Sequence, residues 1–451
     1  MGYSTSRPRK APGKPQSFLE FFRFFFTPQL CKQVQQEFLP TKSLRWHPQP
    51  LIFVLLTMTW CCGDSQAERF ETAKAFYTAC YQRKKRPGKT LEGFQKALAR
   101  VPTARLRLLA GLMRQRLVQV FANRFEVHGF VPLGCDGSRL ACPRTAELQN
   151  RLTPSQKSPQ VWVTAIVHLS LGILWSWRLG RGDKASERTH LRQLLPTLPA
   201  RALLVTDAGY PGYEVLQALA AHPVAFLMRL SSVAPLYSIK REALSSYKEG
   251  LVYYWPKDVQ QNQRPPLAVR LMRIVGSKGD VWLITNVLEA DKLSRKMAST
   301  FYRWRWWNEG FFRTYKRTLG KVKLMSRTLS SVHREAEGSL LAVQMLLAQG
   351  SLALQQSDEV IVTLPSARHA LLTIREEIRN VTGMYLGPRQ RRTYLQRLTQ
   401  IRRDRRRRRP NSDRIRQPWP GREDHKPPKA PKVLKMGNDL KRLLESILGP
   451  L

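Results

Sequence analysis

Four residues in the stretch FYRWRWWNEGFFRTYKRTLG could do chemistry by their types and their spacing. They are Tyr302, Arg305, Glu309 and Lys316, in the order Tyr-x2-Arg-x3-Glu-x6-Lys. On a helix advancing about 100° per residue, offsets of 0, 3, 7 and 14 bring all four side chains into one stripe roughly 60° wide. A carboxylate is then flanked on its own face by a phenol, a guanidinium and an ammonium. That arrangement is a metal ligand set among phosphate-binding groups. The alternative, a solvated charged face, leaves Trp304, Trp306, Trp307, Phe311 and Phe312 to be explained. These aromatics are expected to bury the rest of the helix.

Two further acids belong to the same argument. Asp136 in CDGSRL and Asp207 in LLVTDAGYPG are each expected where a strand ends and a turn begins. Phosphoryl transfer on DNA uses two divalent ions about 4 Å apart. Magnesium takes oxygen ligands and keeps several waters, so two or three carboxylates suffice. Mg2+ is the expected cofactor, with Mn2+ able to substitute. Either aspartate alone would read as a turn former, and Asp183 and Glu187 read as the cap and first turn of a helix. The case rests on Asp136, Asp207 and Glu309 occurring in order within one α/β pattern.

The elements that must position these acids follow from periodicity. Helical patterns cover 18–39, 49–62, 66–82, 90–100 and 103–123. The texture then changes to strands at 131–135, 161–169 and 173–179, a helix at 186–195, a strand over 202–207, a helix at 214–222 and a strand at 224–229. Between Asp207 and Glu309 lie 101 residues, too many for one crossover. Alternating segments near 233–239, 251–255, 267–275 and 280–285 suggest a β-rich insertion. Helices resume at 289–318 and 336–356. Residues 387–432, with the Arg402–Arg409 cluster, read as a basic linker. Residues 433–448 place leucines at helical spacing, a candidate for docking or dimer contact.

The chain of 451 residues carries 76 Lys and Arg against 32 Asp and Glu, a net charge of +44. Residues 389–432 account for +13 of that (17 against 4), so +31 belongs to the rest. The partner is therefore expected to be a polyanion, and nucleic acid is favoured. In the helical N-terminus, Lys84, Lys85, Arg86, Lys89, Arg105, Arg107, Arg114 and Arg116 either lie on DNA phosphates or form ordinary solvated faces. The six cysteines show no metal spacing and read as reduced core residues. SFLEFFRFFFTP reads as an amphipathic helix, and the apolar run Leu51–Cys62 is too short to span a bilayer. Gly88-Lys89-Thr90 lacks the first glycine of a phosphate loop, since position 83 is Arg, so ATP is not expected.

On these residues the chain resembles bacterial DDE cut-and-paste insertion-sequence transposases of the insertion-sequence-four-like group. Tyr302, Arg305, Glu309 and Lys316 match that group's Tyr-Arg-Glu-Lys signature at every spacing, and Asp136 and Asp207 match its two aspartates. The resemblance covers about 126–350. It implies an α/β fold: a ribonuclease-H-like catalytic core, interrupted by the β-rich insertion, behind an all-helical N-terminal domain. The expected division is 1–125 for DNA-end binding, 126–230 and 287–352 for the two parts of the core, and 231–286 for the insertion. The remainder is a helical and basic linker at 353–432 and a C-terminal helix at 433–451.

The same resemblance implies that Asp136, Asp207 and Glu309 bind metal while Tyr302, Arg305 and Lys316 grip phosphates at the element's end. It also implies that Trp282 stacks on an extruded base, though Trp282 equally reads as a core residue of an amphipathic strand. The implied reaction is metal-dependent cleavage at transposon ends with strand transfer into target DNA. The implied partners are terminal inverted repeats, target DNA and a second copy of the chain in a synaptic homodimer. No membrane is expected, and the setting would be the bacterial cytoplasm at the nucleoid. The alternative is a catalytically inactive DNA-binding relative acting as a regulator or inhibitor of transposition.

Overall fold

The computed structural model describes residues 15, 17–27, 33, 46–81, 86–149, 158–181, 186–239, 249–276, 279–354, 364–383 and 430–448. The chain forms two compact units. The first comprises Met1–Val120, Arg334–Ile361 and Pro365–Arg403; the second comprises Phe121–His333, Val362–Leu364 and Asp404–Leu451.

Among its described residues the first unit is helical: α1 (Phe18–Phe25), α2 (Pro48–Trp60), α3 (Gln66–Cys80), α4 (Leu91–Arg100) and α5 (Thr103–Val120). Ser17 and Glu20 form a capping box that starts α1, and Phe18, Phe21, Phe22 and Phe25 turn one face into the core. There Phe18 meets Phe53, Trp60 and Phe76. The Phe-rich start is thus an amphipathic helix, as its pattern predicts. Several of the basic residues read as possible DNA contacts are instead used internally. Arg107 Nε pairs at 2.9 Å with Glu337, whose side chain is fully buried. Arg116 donates to the Phe24 carbonyl and lies over its ring. Burial pushes Arg114 down to about 10. Lys84 and Lys85 lie outside the described residues, as do 384–429 with the Arg402–Arg409 cluster.

The second unit begins with the short α6 (Ala122–Phe125) and is built on a sheet of ten strands in the order β10-β6-β7-β8-β9-β5-β4-β1-β2-β3. The strands β1 (Val131–Ala141), β2 (Gln160–His168) and β3 (Ile173–Arg181) are antiparallel neighbours, with the short α7 (Ala146–Gln149) between the first two. The tight β2–β3 connection closes at Gly172, whose φ of +66° suits glycine. Next come α8 (Glu187–Leu194), β4 (Ala202–Thr206), α9 (Tyr213–Ala220) and β5 (Ala225–Arg229). The strand β4 runs parallel to both β1 and β5, and α8 and α9 supply the crossovers such pairing requires.

The four alternating segments form β6 (Leu236–Ser238), β7 (Glu249–Tyr254), β8 (Leu267–Ile274) and β9 (Val281–Thr285), with the short α10 (Lys257–Gln261) after β7. Since β9 pairs with β5, the insertion extends the same sheet.

Three sequence readings need correction. First, β1 does not end at Asp136 but continues to Ala141, paired throughout with β2. Second, the signature stretch is not one ideal helix. It divides into α11 (Arg295–Trp304), α12 (Trp306–Arg313) and a π-helical turn over Thr314–Thr318. At the first junction Arg305 N bonds Tyr302 O and Asn308 N bonds Arg305 O, both three residues apart. A tightened turn eclipses side chains at i and i+3, and here Trp304 and Trp307 stack at 5.3 Å with planes 16° apart. Trp306 is half exposed instead of buried.

Third, residues 433–435 are not helical. They form β10 (Val433–Lys435), parallel to β6, before α15 (Asn438–Leu448). Ahead of them come α13 (Leu329–Leu354) and α14 (Ala367–Val381). The helix cap near 186 is Ser186, whose hydroxyl accepts from Thr189 N; Asp183 lies outside the described residues. Cys62 is exposed, unlike the buried Cys61, Cys135 and Cys142.

Candidate active site

In the β1–β4 ladder Val131 faces Ala202 and Gly134 faces Val205. Carried two residues further, that register sets Asp136 level with Asp207, just beyond the end of β4. Adjacent strands lie about 4.8 Å apart, and level residues point to the same face. That face is the one covered by α11: Leu203 and Val205 pack in one apolar cluster with Ala298, Phe301 and Tyr302. Each aspartate spends one oxygen on a nearby backbone amide. Asp136 Oδ1 accepts from Gly137 N at 2.8 Å, and Asp207 Oδ1 accepts from Gly209 N at 2.9 Å. The second oxygen of each makes no hydrogen bond among the described residues.

Burial pushes the Asp136 carboxyl up to about 6. The Gly137 amide opposes this, Asp207 and Glu187 add to it, and Arg305 lowers it. A carboxylate crowded by like charges in a partly buried place is what a divalent cation relieves, and oxygen donors suit a hard ion. The residues therefore fit such an ion in donor chemistry. Among the described residues, no three His, Cys, Asp or Glu side chains stand close enough together to close around a metal.

Glu309 lies in the first turn of α12 with its side chain 43% exposed, and Arg305 NH2 stands 3.9 Å from its Oε1. Arg305 thus links it to Asp136, on which its charge also acts. The guanidinium is itself buried, set between the rings of Tyr302 and Trp306 at 5.5 and 4.8 Å. The Tyr302 hydroxyl, Arg305 Nε and both amide atoms of Asn308 are buried without a hydrogen-bond partner. Four unsatisfied groups within seven residues are unusual in a native fold, where such groups are nearly all paired. Tyr302 and Arg305 suit an acceptor such as a phosphate oxygen. Lys316 is half-buried in the widened turn, and burial lowers its pKa.

Trp282 is not brought to this group. On β9, Val281 and Leu283 face the cluster containing Tyr302, so Trp282 projects from the opposite face. There it pairs across the ladder with Arg273, whose guanidinium lies 5.9 Å from its ring.

The sequence reading gave no site role to Asn308, Glu187 or Tyr210. Asn308 packs on Gly134, where a Cβ would overlap its amide. Glu187 packs on Gly137 in the same way, and Tyr210 is fully buried beside Cys135 and Glu187. The glycines at 134 and 137, flanking the aspartate in GCDG, were the available signal, because each marks a close approach to β1.

The site therefore defines a class: a mixed α/β protein presenting two level aspartates under a basic, aromatic helix pair. Residues 136–345 match the family model described as Transposase DDE domain. The match begins on Asp136 and includes Asp207 and all four signature residues. It supports a DDE transposase, an enzyme class that transfers phosphoryl groups on DNA and uses divalent ions. Among solved structures the chain is similar to the piggyBac transposase of a cryo-EM synaptic complex with hairpin DNA. The identity is 12% and the TM-score 0.43, over 91% of this chain and 88% of that one. No curated protein matches the chain. Among the described residues, no helix is long and apolar enough to cross a membrane.

Proposed function

We propose that this chain is a cut-and-paste transposase of the insertion-sequence-four-like type. It would cleave DNA at the ends of its element and join those ends to target DNA, using a ribonuclease-H-like core at 126–230 and 287–352. The observation that carries this reading is the level pair Asp136 and Asp207 on the sheet face beneath Arg305. Asp136 and Asp207 would hold Mg2+ or Mn2+, and Glu309 would join them. Bound divalent ions supply activation of the attacking hydroxyl and neutralisation of the leaving 3′ oxygen.

The chain's own residues do the rest. Arg305 holds Glu309 and, with Tyr302, offers donors to a non-bridging phosphate oxygen, while Lys316 adds a point charge. The exposed carboxylate of Glu309 is free to swing when DNA displaces Arg305 from it. Binding would come mainly from Lys and Arg contacts to phosphates, and two copies would pair the two ends.

The test uses purified full-length protein and linear DNA carrying the sequence that flanks its coding region. Wild type should cleave at the repeat end only with Mg2+ or Mn2+. Asp136→Asn should lose cleavage by at least about a thousandfold while binding the end within about twofold. Sequence-specific binding with no cleavage by wild type would favour the regulator reading. Neither binding nor cleavage would overturn the proposal.

A further inference from the structure

Asn308 is a polar residue that the reading above leaves without a role. It lies in the first turn of α12, between Arg305 and Glu309, and is fully buried. Neither its amide nitrogen nor its amide oxygen has a hydrogen-bond partner among the described residues. An unpaired buried amide costs the fold more than an apolar side chain of the same shape would. In a native fold such a group calls for a polar partner.

The surroundings of the amide narrow what that partner is. It packs on β1 at Gly134, where a Cβ would overlap it, and the Leu169 side chain closes on the same point of the strand. Neither neighbour offers a side-chain donor or acceptor. The strand β1 pairs with β2 without a break from Leu133 to Ala141, so Gly134 and Asp136 present to the same face. Asp136 is thus the next side chain along the face of β1 that Asn308 covers. One of its oxygens accepts from Gly137 N at 2.8 Å, and the other makes no hydrogen bond among the described residues. The remaining unpartnered atoms of this helix pair, the Tyr302 hydroxyl and Arg305 Nε, are those assigned above to a phosphate oxygen.

Same-face residues two apart on a strand stand about 7 Å apart, beyond the reach of a direct hydrogen bond. One water, with a bond of about 2.8 Å to each side, covers that span once the arm of the aspartate is included. An amide offers such a water both a donor and an acceptor. We propose that Asn308 positions Asp136: its amide holds a water that donates to the free oxygen of that carboxylate. This rests on the metal-dependent reading of the site given above. With Gly137 N on one oxygen and the water on the other, the carboxylate is held in one orientation toward an ion. Loss of a group that steadies a metal-binding carboxylate in this way weakens metal affinity or activity about 10- to 100-fold. Asn308 is a positioning residue, since it acts through Asp136.

The experiment combines calorimetric titration of Mn2+ alone into metal-free full-length protein with binding and cleavage of repeat-end DNA. Asn308→Leu keeps the size and removes the amide. It should bind Mn2+ at least about tenfold more weakly than wild type and cleave saturating DNA at least about tenfold more slowly. Its metal-free affinity for the end should stay within about twofold, because phosphate contacts are untouched. Asn308→Ala leaves room for a second water in place of the amide, so it should fall between wild type and Asn308→Leu in both readings. A side chain that merely fills space predicts the reverse order, since alanine leaves a cavity and leucine does not. Asn308→Val takes the place of Asn308→Leu if leucine does not fold. The proposal is overturned if the apolar variant binds Mn2+ within about twofold of wild type, or if Asn308→Ala loses more than it does. Failure of the underlying reading looks different: Asp136→Asn would then bind Mn2+ as wild type does, and the role of Asn308 falls with it.

Discussion

Asp136 and Asp207, 71 residues apart in sequence, fall level across two neighbouring parallel strands when the register that sets Gly134 opposite Val205 is carried two residues past its last pair. Asp207 Oδ1 accepts from Gly209 N and Asp136 Oδ1 from Gly137 N, which leaves the second oxygen of each without a hydrogen bond among the described residues. Two acids held side by side cost the fold free energy unless something positive comes between them.

The first concerns pH. Asp136 is raised from 3.8 to about 6, so its ionised form destabilises the folded state. The penalty is absent below about pH 4, grows between 3.8 and about 6, and is complete above that. In metal-free buffer Asp136→Asn should therefore gain stability at pH 7 by up to roughly 3 kcal/mol and gain nothing at pH 3.5. Urea denaturation in chelator at the two pH values checks this. A gain of equal size at both would mean that neither burial nor the neighbouring acids disfavour the ionised form of Asp136.

The second separates grip from diffuse charge. Arg305 is buried and Lys316 half-buried beside the acids, whereas Arg303, Arg313 and Arg317 are exposed. Arg305→Ala and Lys316→Ala should each flatten the salt dependence of binding to a cleaved end by about one counterion. Alanine at the other three should change it less. Equal slopes across all five variants would leave the phosphate-clamp reading without support.

The third removes Arg107 from the DNA-binding inventory. Its partner Glu337 is fully buried, so Arg107→Ala leaves a carboxylate in the core short of its cation. It should cost about 2–4 kcal/mol in chemical denaturation, near the measured range for one-sided removal from buried pairs. Glu337→Gln should cost less, since the side chain left behind is neutral. DNA affinity per folded molecule should stay within about twofold for Arg107→Ala. A large loss of binding without loss of stability would return Arg107 to the interface.

A fourth tests the support of the signature helix. A Cβ at residue 134 would overlap both the Asn308 amide and Leu169. Gly134→Ala should therefore destabilise by about 1–3 kcal/mol and reduce cleavage more than DNA binding, by shifting Glu309 with its neighbour. Circular dichroism melting and a cleavage assay on the same preparation decide it. Wild-type values in both would show that α12 tolerates displacement.

Strands and helices were legible where apolar residues form a run or a face of the right period. The apolar run Val161–Leu169, the alternating segment Leu267–Ile274 and the phenylalanine face of α1 each had one answer, and the structure adopts it. The strand-end position of Asp207 was legible from the buried run Ala202–Thr206 that precedes it. Asp136 was expected at a strand end, whereas β1 runs on through it and Gly137 to Ala141. Gly137 admits Glu187 in a contact made by tertiary approach, for which the glycine itself is the one local sign. Arg107 looked like a surface cation because its buried partner is 230 residues away. The break at Arg305 was hidden too, since each residue of that stretch tolerates a helix and only the stacking of Trp304 on Trp307 accompanies the tighter turn.

The strand β10 completes one edge of the sheet with residues 433–435, the last of the ten strands in chain order. A ribosome delivers them after everything else in the sheet has emerged, so β6 waits with unpaired backbone groups through the whole of the preceding synthesis. An early stop codon in the arginine-rich coding segment would release a product with that edge permanently open. Such edges recruit strands from other molecules. Truncated copies of this gene should therefore yield insoluble protein even though every acidic residue of the site has been made.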